Sequence, residues 1–72
     1  MEHQFTLRLN RELTEAEVEA LYEAGLADAG IETGPEGSLV DVTREAATRD
    51  EAVASATADV AKVPGLRVTE VL

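Results

Sequence analysis

Residues 5–25 read FTLRLNRELTEAEVEALYEAG, and this stretch decides the fold. From Gln4 to Asn10 the chain alternates: Phe5, Leu7 and Leu9 fall on one face, Gln4, Thr6, Arg8 and Asn10 on the other. A period of two is that of a half-buried strand. After the turn Asn10-Arg11-Glu12, a helix start is signalled. Thr14 is the N-cap candidate and Glu17 stands three residues on, the spacing of a capping box, with Leu13 and Val18 in the staple positions. Glu15 and Glu17 also suit the positive end of the helix dipole. Val18, Leu21, Tyr22 and Gly25 share one face at helical spacing, which puts Tyr22 in the core with its hydroxyl at the rim. Gly25 is the expected stop, with Gly30 as a second one.

Outward from this unit the pattern repeats. Ala29–Thr33 is a short strand anchored by Ile31, and Gly34-Pro35-Glu36-Gly37 is a hairpin turn by composition. Ser38–Arg44 is the third strand, with Val40 and Val42 on one face and Leu39, Asp41 and Thr43 on the other. Thr48 and Glu51 repeat the capping-box spacing before a helix to about Val63, whose buried stripe is Val53, Ala56, Val60 and Val63. Pro64-Gly65 ends it, and Leu66–Leu72 is the last strand. Leu66 and Val68 face inward there, but Val71 fits only with a bulge or a frayed end, since strict alternation would aim Glu70 at the core. The order β-α-β-β-α-β with right-handed crossovers predicts an α+β, ferredoxin-like sandwich: one domain over residues 1–72, with a four-stranded antiparallel sheet in the order 4-1-3-2 and both helices on one face. Phe5, Leu7, Leu9, Val40, Val42, Leu66 and Val68 form the sheet's share of the core.

Composition bounds the function. A 72-residue chain builds a small core, and here it is aliphatic, with one Phe, one Tyr and no Trp. That suggests help from a partner, most simply a second copy. There is no Cys, which removes disulfides and thiolate metal sites. No segment approaches the roughly 20 apolar residues of a membrane span, and the start MEHQFTLRLN lacks the pattern of a signal peptide, so the cytoplasm is the expected location. A formal charge of −9 disfavours direct nucleic-acid binding and permits a basic protein partner.

Two surfaces stand out. The sheet face without helices carries Gln4, Thr6, Arg8, Asp41, Thr43, Arg67 and Thr69, with Arg8 expected between strands bearing Asp41 and Arg67. These charges either pair across strands or dock a partner or second subunit. Glu12, Glu15, Glu19 and Glu23 recur at helical spacing on the first helix, as a solvated face or a docking stripe for a basic partner. Catalytic chemistry finds little footing. His3 is the single histidine; with Met1 and Glu2 it could wrap Cu(II) or Ni(II) only at a mobile terminus. Ser38 and Ser55 have no evident histidine partner, and Gly34-x-x-Gly37 is too short and lacks the lysine of a phosphate loop. No catalytic, cofactor-binding or metal residues are assigned.

Phe5 to Gly25, then Arg44-Glu45-Ala46, then Glu51-Ala52-Val53-x-Ser55-Ala56 with Asp59-Val60, resemble the N-terminal domain of a family of small bacterial proteins described as DNA-binding or regulatory. In longer members a helix-turn-helix segment follows this domain. This chain ends at Leu72 without one, so the resemblance implies a regulatory or assembly domain and not a DNA reader. The expectation is a non-enzymatic protein-interaction module, homodimeric, with Arg8, Asp41, Arg67, Glu15, Glu19 and Glu23 at its contact surfaces. The alternatives are an acidic inhibitor or antitoxin-like protein covering a basic site, and a small-ligand sensor.

Overall fold

A computed structural model describes residues 1–27 and 29–72. The chain runs β1 (Glu2–Leu9), α1 (Glu15–Leu21), a widened turn of π type (Tyr22–Leu26), β2 (Gly30–Gly34), β3 (Gly37–Glu45), α2 (Arg49–Ala61) and β4 (Val68–Val71). The four strands form one sheet in the order β2-β3-β1-β4, antiparallel at every pairing. Read from the opposite edge, that order is 4-1-3-2. The fold is therefore α+β, a four-stranded antiparallel sheet with two helices.

Alternation in β1 and β3 sets the layers. Phe5 pairs with Val42 and Leu7 with Val40, and all four are buried on the side where the helices pack. One hydrophobic cluster joins them to Leu13, Leu21, Leu26, Ala52, Ala56, Val60, Val63 and Leu66. Val68 is half-buried at its margin.

Both helices start as their capping residues dictate. The Thr14 hydroxyl accepts from the Glu17 amide at 3.2 Å, and the Glu17 carboxylate accepts from the Thr14 amide at 3.0 Å. At Thr48 only the first half forms, with the hydroxyl accepting from the Glu51 amide at 3.1 Å.

Two expectations about phase are corrected, and of the two expected resolutions in β4 the bulge is found. Tyr22 is exposed at 39 %, and Leu26 fills the core position instead. The kink at Gly25 breaks the helical period, and Leu26 beyond it returns to the core beside Leu21. Gly25 does turn the chain, at φ 132°, ψ 2°, inside the widened turn. In α2 the buried line is Ala52, Ala56 and Val60, continued by Val63 just beyond the helix, while Val53 lies half-buried beside it. The two alanines let the helix approach the sheet more closely than a valine stripe would. In β4 the register against β1 shifts between Arg8 and Leu9: Leu9 faces Val68, Arg8 faces Glu70 and Leu7 faces Val71. This bulge places the extra residue that turns Glu70 away from the core.

Candidate functional site

The sheet face opposite the helices is uncovered, and the register sets out its side chains in rows. Across β2, β3, β1 and β4, the first row is Glu32, Leu39, Arg8 and Glu70. The second is Gly30, Asp41, Thr6 and Leu72, the last joined to Thr6 by two backbone hydrogen bonds of 3.2 and 2.7 Å. Beyond these lie Thr43 with Gln4, then Glu45 with Glu2. β1 lies between β3 and β4, as the sequence pattern suggested, but Asp41 and Arg67 are not the residues beside Arg8. Its neighbours are Leu39 and Glu70, and its guanidinium pairs with Glu70 at 3.1 Å. Asp41 instead accepts from the Thr6 hydroxyl at 2.6 Å. Arg67 precedes β4, where its backbone is tied to Asn10: the Arg67 amide donates to Asn10 Oδ1 at 3.0 Å and its carbonyl accepts from the Asn10 amide at 3.2 Å. The unbroken β1–β3 register sets Asp41 opposite Thr6, and the bulge against β4 sets Glu70 opposite Arg8.

The face is electrostatically one-sided. By register it holds Glu2, Glu32, Asp41, Glu45 and Glu70 against two cations, the Arg8 guanidinium and the Met1 ammonium, which pairs with Glu45 at 3.2 Å. Most other cations are committed elsewhere. Arg44 donates to Asp59 and Ser55, each at 3.0 Å, and to the Gly25 carbonyl at 2.8 Å. Lys62 donates to Asp59 and to the Ala24 carbonyl, both at 3.1 Å. These two cations satisfy backbone acceptors where the first helix ends, as cations at a helix C-terminus do. Arg49 lies over the Phe5 ring, 5.9 Å from its centroid. Arg11 forms a two-pronged ion pair with Glu17. The Arg11 guanidinium, followed by the Thr14 amide, holds the Glu17 carboxyl at about 2, well below the usual carboxylate range. The same bond raises Arg11.

Two depressions interrupt the open face. The larger, about 510 Å³, lies at the β2–β3 hairpin between Arg8 and the turn Pro35-Glu36. The smaller, about 360 Å³, lies by Gln4, Thr6, Asp41, Thr43 and Leu72. Glu32, Glu36, Leu39 and Glu70 therefore join the candidate site although the sequence reading did not single them out. A signal for Glu32 was present: in Gly30-x-Glu32-x-Gly34 the glutamate shares its strand face with two glycines.

The remaining candidates lie away from this face. Glu15, Glu19 and Glu23 are exposed on the first helix and its extension, with no ion pair among the described residues. Ser38 is 2 % exposed and its hydroxyl is fully engaged. It donates to the Arg11 carbonyl at 3.0 Å, so the Thr33 hydroxyl must donate to it, at 2.8 Å, while Thr33 accepts from the Leu13 amide at 2.7 Å. This relay fastens the Arg11–Leu13 loop to the hairpin. His3 Nε2 donates to the Ala46 carbonyl at 3.1 Å, and Glu2 and His3 are paired with Glu45 and Arg44. Wrapping a metal there would require unpairing the start of β1. Among the described residues no cluster of His, Asp and Glu is placed to hold a metal ion, and no helix is long and apolar enough to cross a membrane.

Comparison with known proteins gives no family model, no curated protein and no solved structure that matches this chain.

Proposed function

We propose that the protein is a non-enzymatic interaction module that presents the helix-free face of its sheet to a positively charged protein. One observation carries this reading: the face is uncovered and holds five carboxylates against one guanidinium and the amino-terminal ammonium, while Arg44, Lys62 and Arg11 are bound into the helix layer. Complementary charge steers such encounters and rejects wrong partners. The same observation weighs between the two expected occupants. A second copy on this face would oppose like charges, and antiparallel pairing of two β2 edges centred on Glu32 would do the same. A basic partner meets neither penalty, so the acidic-inhibitor form of the reading is preferred to the homodimer.

The arrangement is read as the ferredoxin-like sandwich, on its element order and strand order. A regulatory or accessory role is part of this proposal and rests on the sequence resemblance alone. Sedimentation equilibrium at tens of micromolar tests the choice of occupant. The expected result is a monomer that forms a salt-sensitive complex with a cationic polypeptide. A stable dimer that excludes that polypeptide would overturn it.

A further inference from the structure

The hollow at the hairpin gives the open face a specific partner group, an inference that rests on the interaction reading above. On the open side of β2, Glu32 stands between Gly30 and Gly34, neither of which contributes a side chain. A Cβ built at Gly34 meets nothing within 4 Å. Nor does Gly34 adopt a positive φ, so its backbone does not require glycine. A side chain at this position would project into open space. Gly34 is among the residues that line the concavity, with Arg8, Glu32, Pro35, Glu36 and Leu39. Leu39, half-buried, and Pro35 give it apolar surface; Glu32 and Glu36 give it two carboxylates. The cation in the lining, Arg8, is drawn to Glu70 on its far side.

An apolar floor with an anionic rim complements a side chain that has an alkyl stem and a cationic tip. A site for a small organic ligand would be more enclosed and lined mainly by apolar and aromatic groups. We propose that this hollow seats the side chain of a lysine or arginine presented by a partner protein, its stem over Leu39 and Pro35 and its charge beside Glu32 and Glu36.

The test is an NMR titration of the ¹⁵N-labelled chain with Nα-acetyl-lysine amide and Nα-acetyl-arginine amide. Nα-acetyl-norleucine amide provides a stem without the charge. Saturable shifts are expected at Arg8 and Glu32–Leu39 with either cation, and the norleucine compound should bind more weakly by about tenfold or more, the scale of one charge-assisted contact. Gly34→Val fills the hollow while leaving every charge in place, and it suits a strand position. It should weaken the response by a similar factor with amide dispersion preserved, as should Glu32→Gln combined with Glu36→Gln. Shifts that Gly34→Val leaves unchanged, or that spread equally over Glu15, Glu19 and Glu23, would overturn the proposal. An octalysine peptide run in parallel separates the two levels. If it shifts Asp41 and Thr43 while single cations leave the hollow untouched, the hollow assignment falls and the interaction reading stands. If neither shifts the open face, both fall.

Discussion

Arg8 and Arg44 belong to neighbouring, directly paired strands and project from opposite faces of one sheet. Arg44, 15 % exposed, bonds Asp59, Ser55 and the Gly25 carbonyl, tying β3, α2 and the end of the first helix together. Arg8, 50 % exposed, has one ion-pair partner, Glu70, which is as open as itself. The same residue type is thus a structural clamp on one side and a loosely held surface group on the other. The difference lies in enclosure: the helices shield the Arg44 cluster from water, whereas water and salt screen the Arg8 pair. The molecule spends its cations on the side that must hold together and leaves its carboxylates on the side free to bind.

The sharpest way to break the clamp is at Gly25. A Cβ there would lie 2.5 Å from Asp59 Oδ2, at a φ of 132° that side chains rarely adopt. Gly25→Val is expected to cost roughly 2–4 kcal/mol, from backbone strain together with displacement of the Asp59 carboxylate. Each kcal/mol lowers Tm by about 4–8 °C in a domain this small, so thermal denaturation reads it directly. Arg44→Ala should cost about 2 kcal/mol, because it removes one of the two cations that Asp59, 15 % exposed, accepts from and takes a donor from the Gly25 carbonyl. Arg44→Lys should recover only part, since an ammonium lacks the planar fork that reaches three acceptors.

The Arg11–Glu17 pair predicts a pH signature. Glu17 is lowered to about 2, so the folded state holds that proton more weakly than the unfolded state. Its contribution is complete above the unfolded carboxyl range and is lost as pH falls from there toward 2. The Tm difference between the wild type and Glu17→Gln should accordingly shrink between about pH 5 and pH 2. The smallest effect is expected across the sheet: Arg8→Ala should cost under about 1 kcal/mol, as exposed pairs do. A cost equal to that of Arg44→Ala would remove the contrast between the two faces.

Much of this plan is legible locally. The alternation of Phe5, Leu7 and Leu9 sets the inner face of β1, the Thr14–Glu17 spacing starts the first helix, and Gly34-Pro35-Glu36-Gly37 closes a hairpin. What is not legible depends on how elements meet. The kink at Gly25 leaves Tyr22 outward and Leu26 inward, and no hydrophobic period announces it. The β4 bulge gives Arg8 the partner Glu70 in place of Arg67. Arg44 and Asp59, fifteen residues apart, become partners only when α2 docks beside β3. The open face itself was legible from parity; its hollow depends on Glu32, Leu39 and Arg8 lying side by side on three strands.

Two charge-reversal triples test whether the sheet face, and not the first helix, receives a cationic partner. Glu32→Lys, Asp41→Lys and Glu70→Lys alter the face; Glu15→Lys, Glu19→Lys and Glu23→Lys alter the helix. Both triples change the net charge equally, so a difference between them reports location and not overall attraction. Octalysine affinity, read by fluorescence anisotropy at low salt, should fall by about tenfold or more in the sheet triple and far less in the helix triple. Equal losses, or a greater loss in the helix triple, would contradict the assignment.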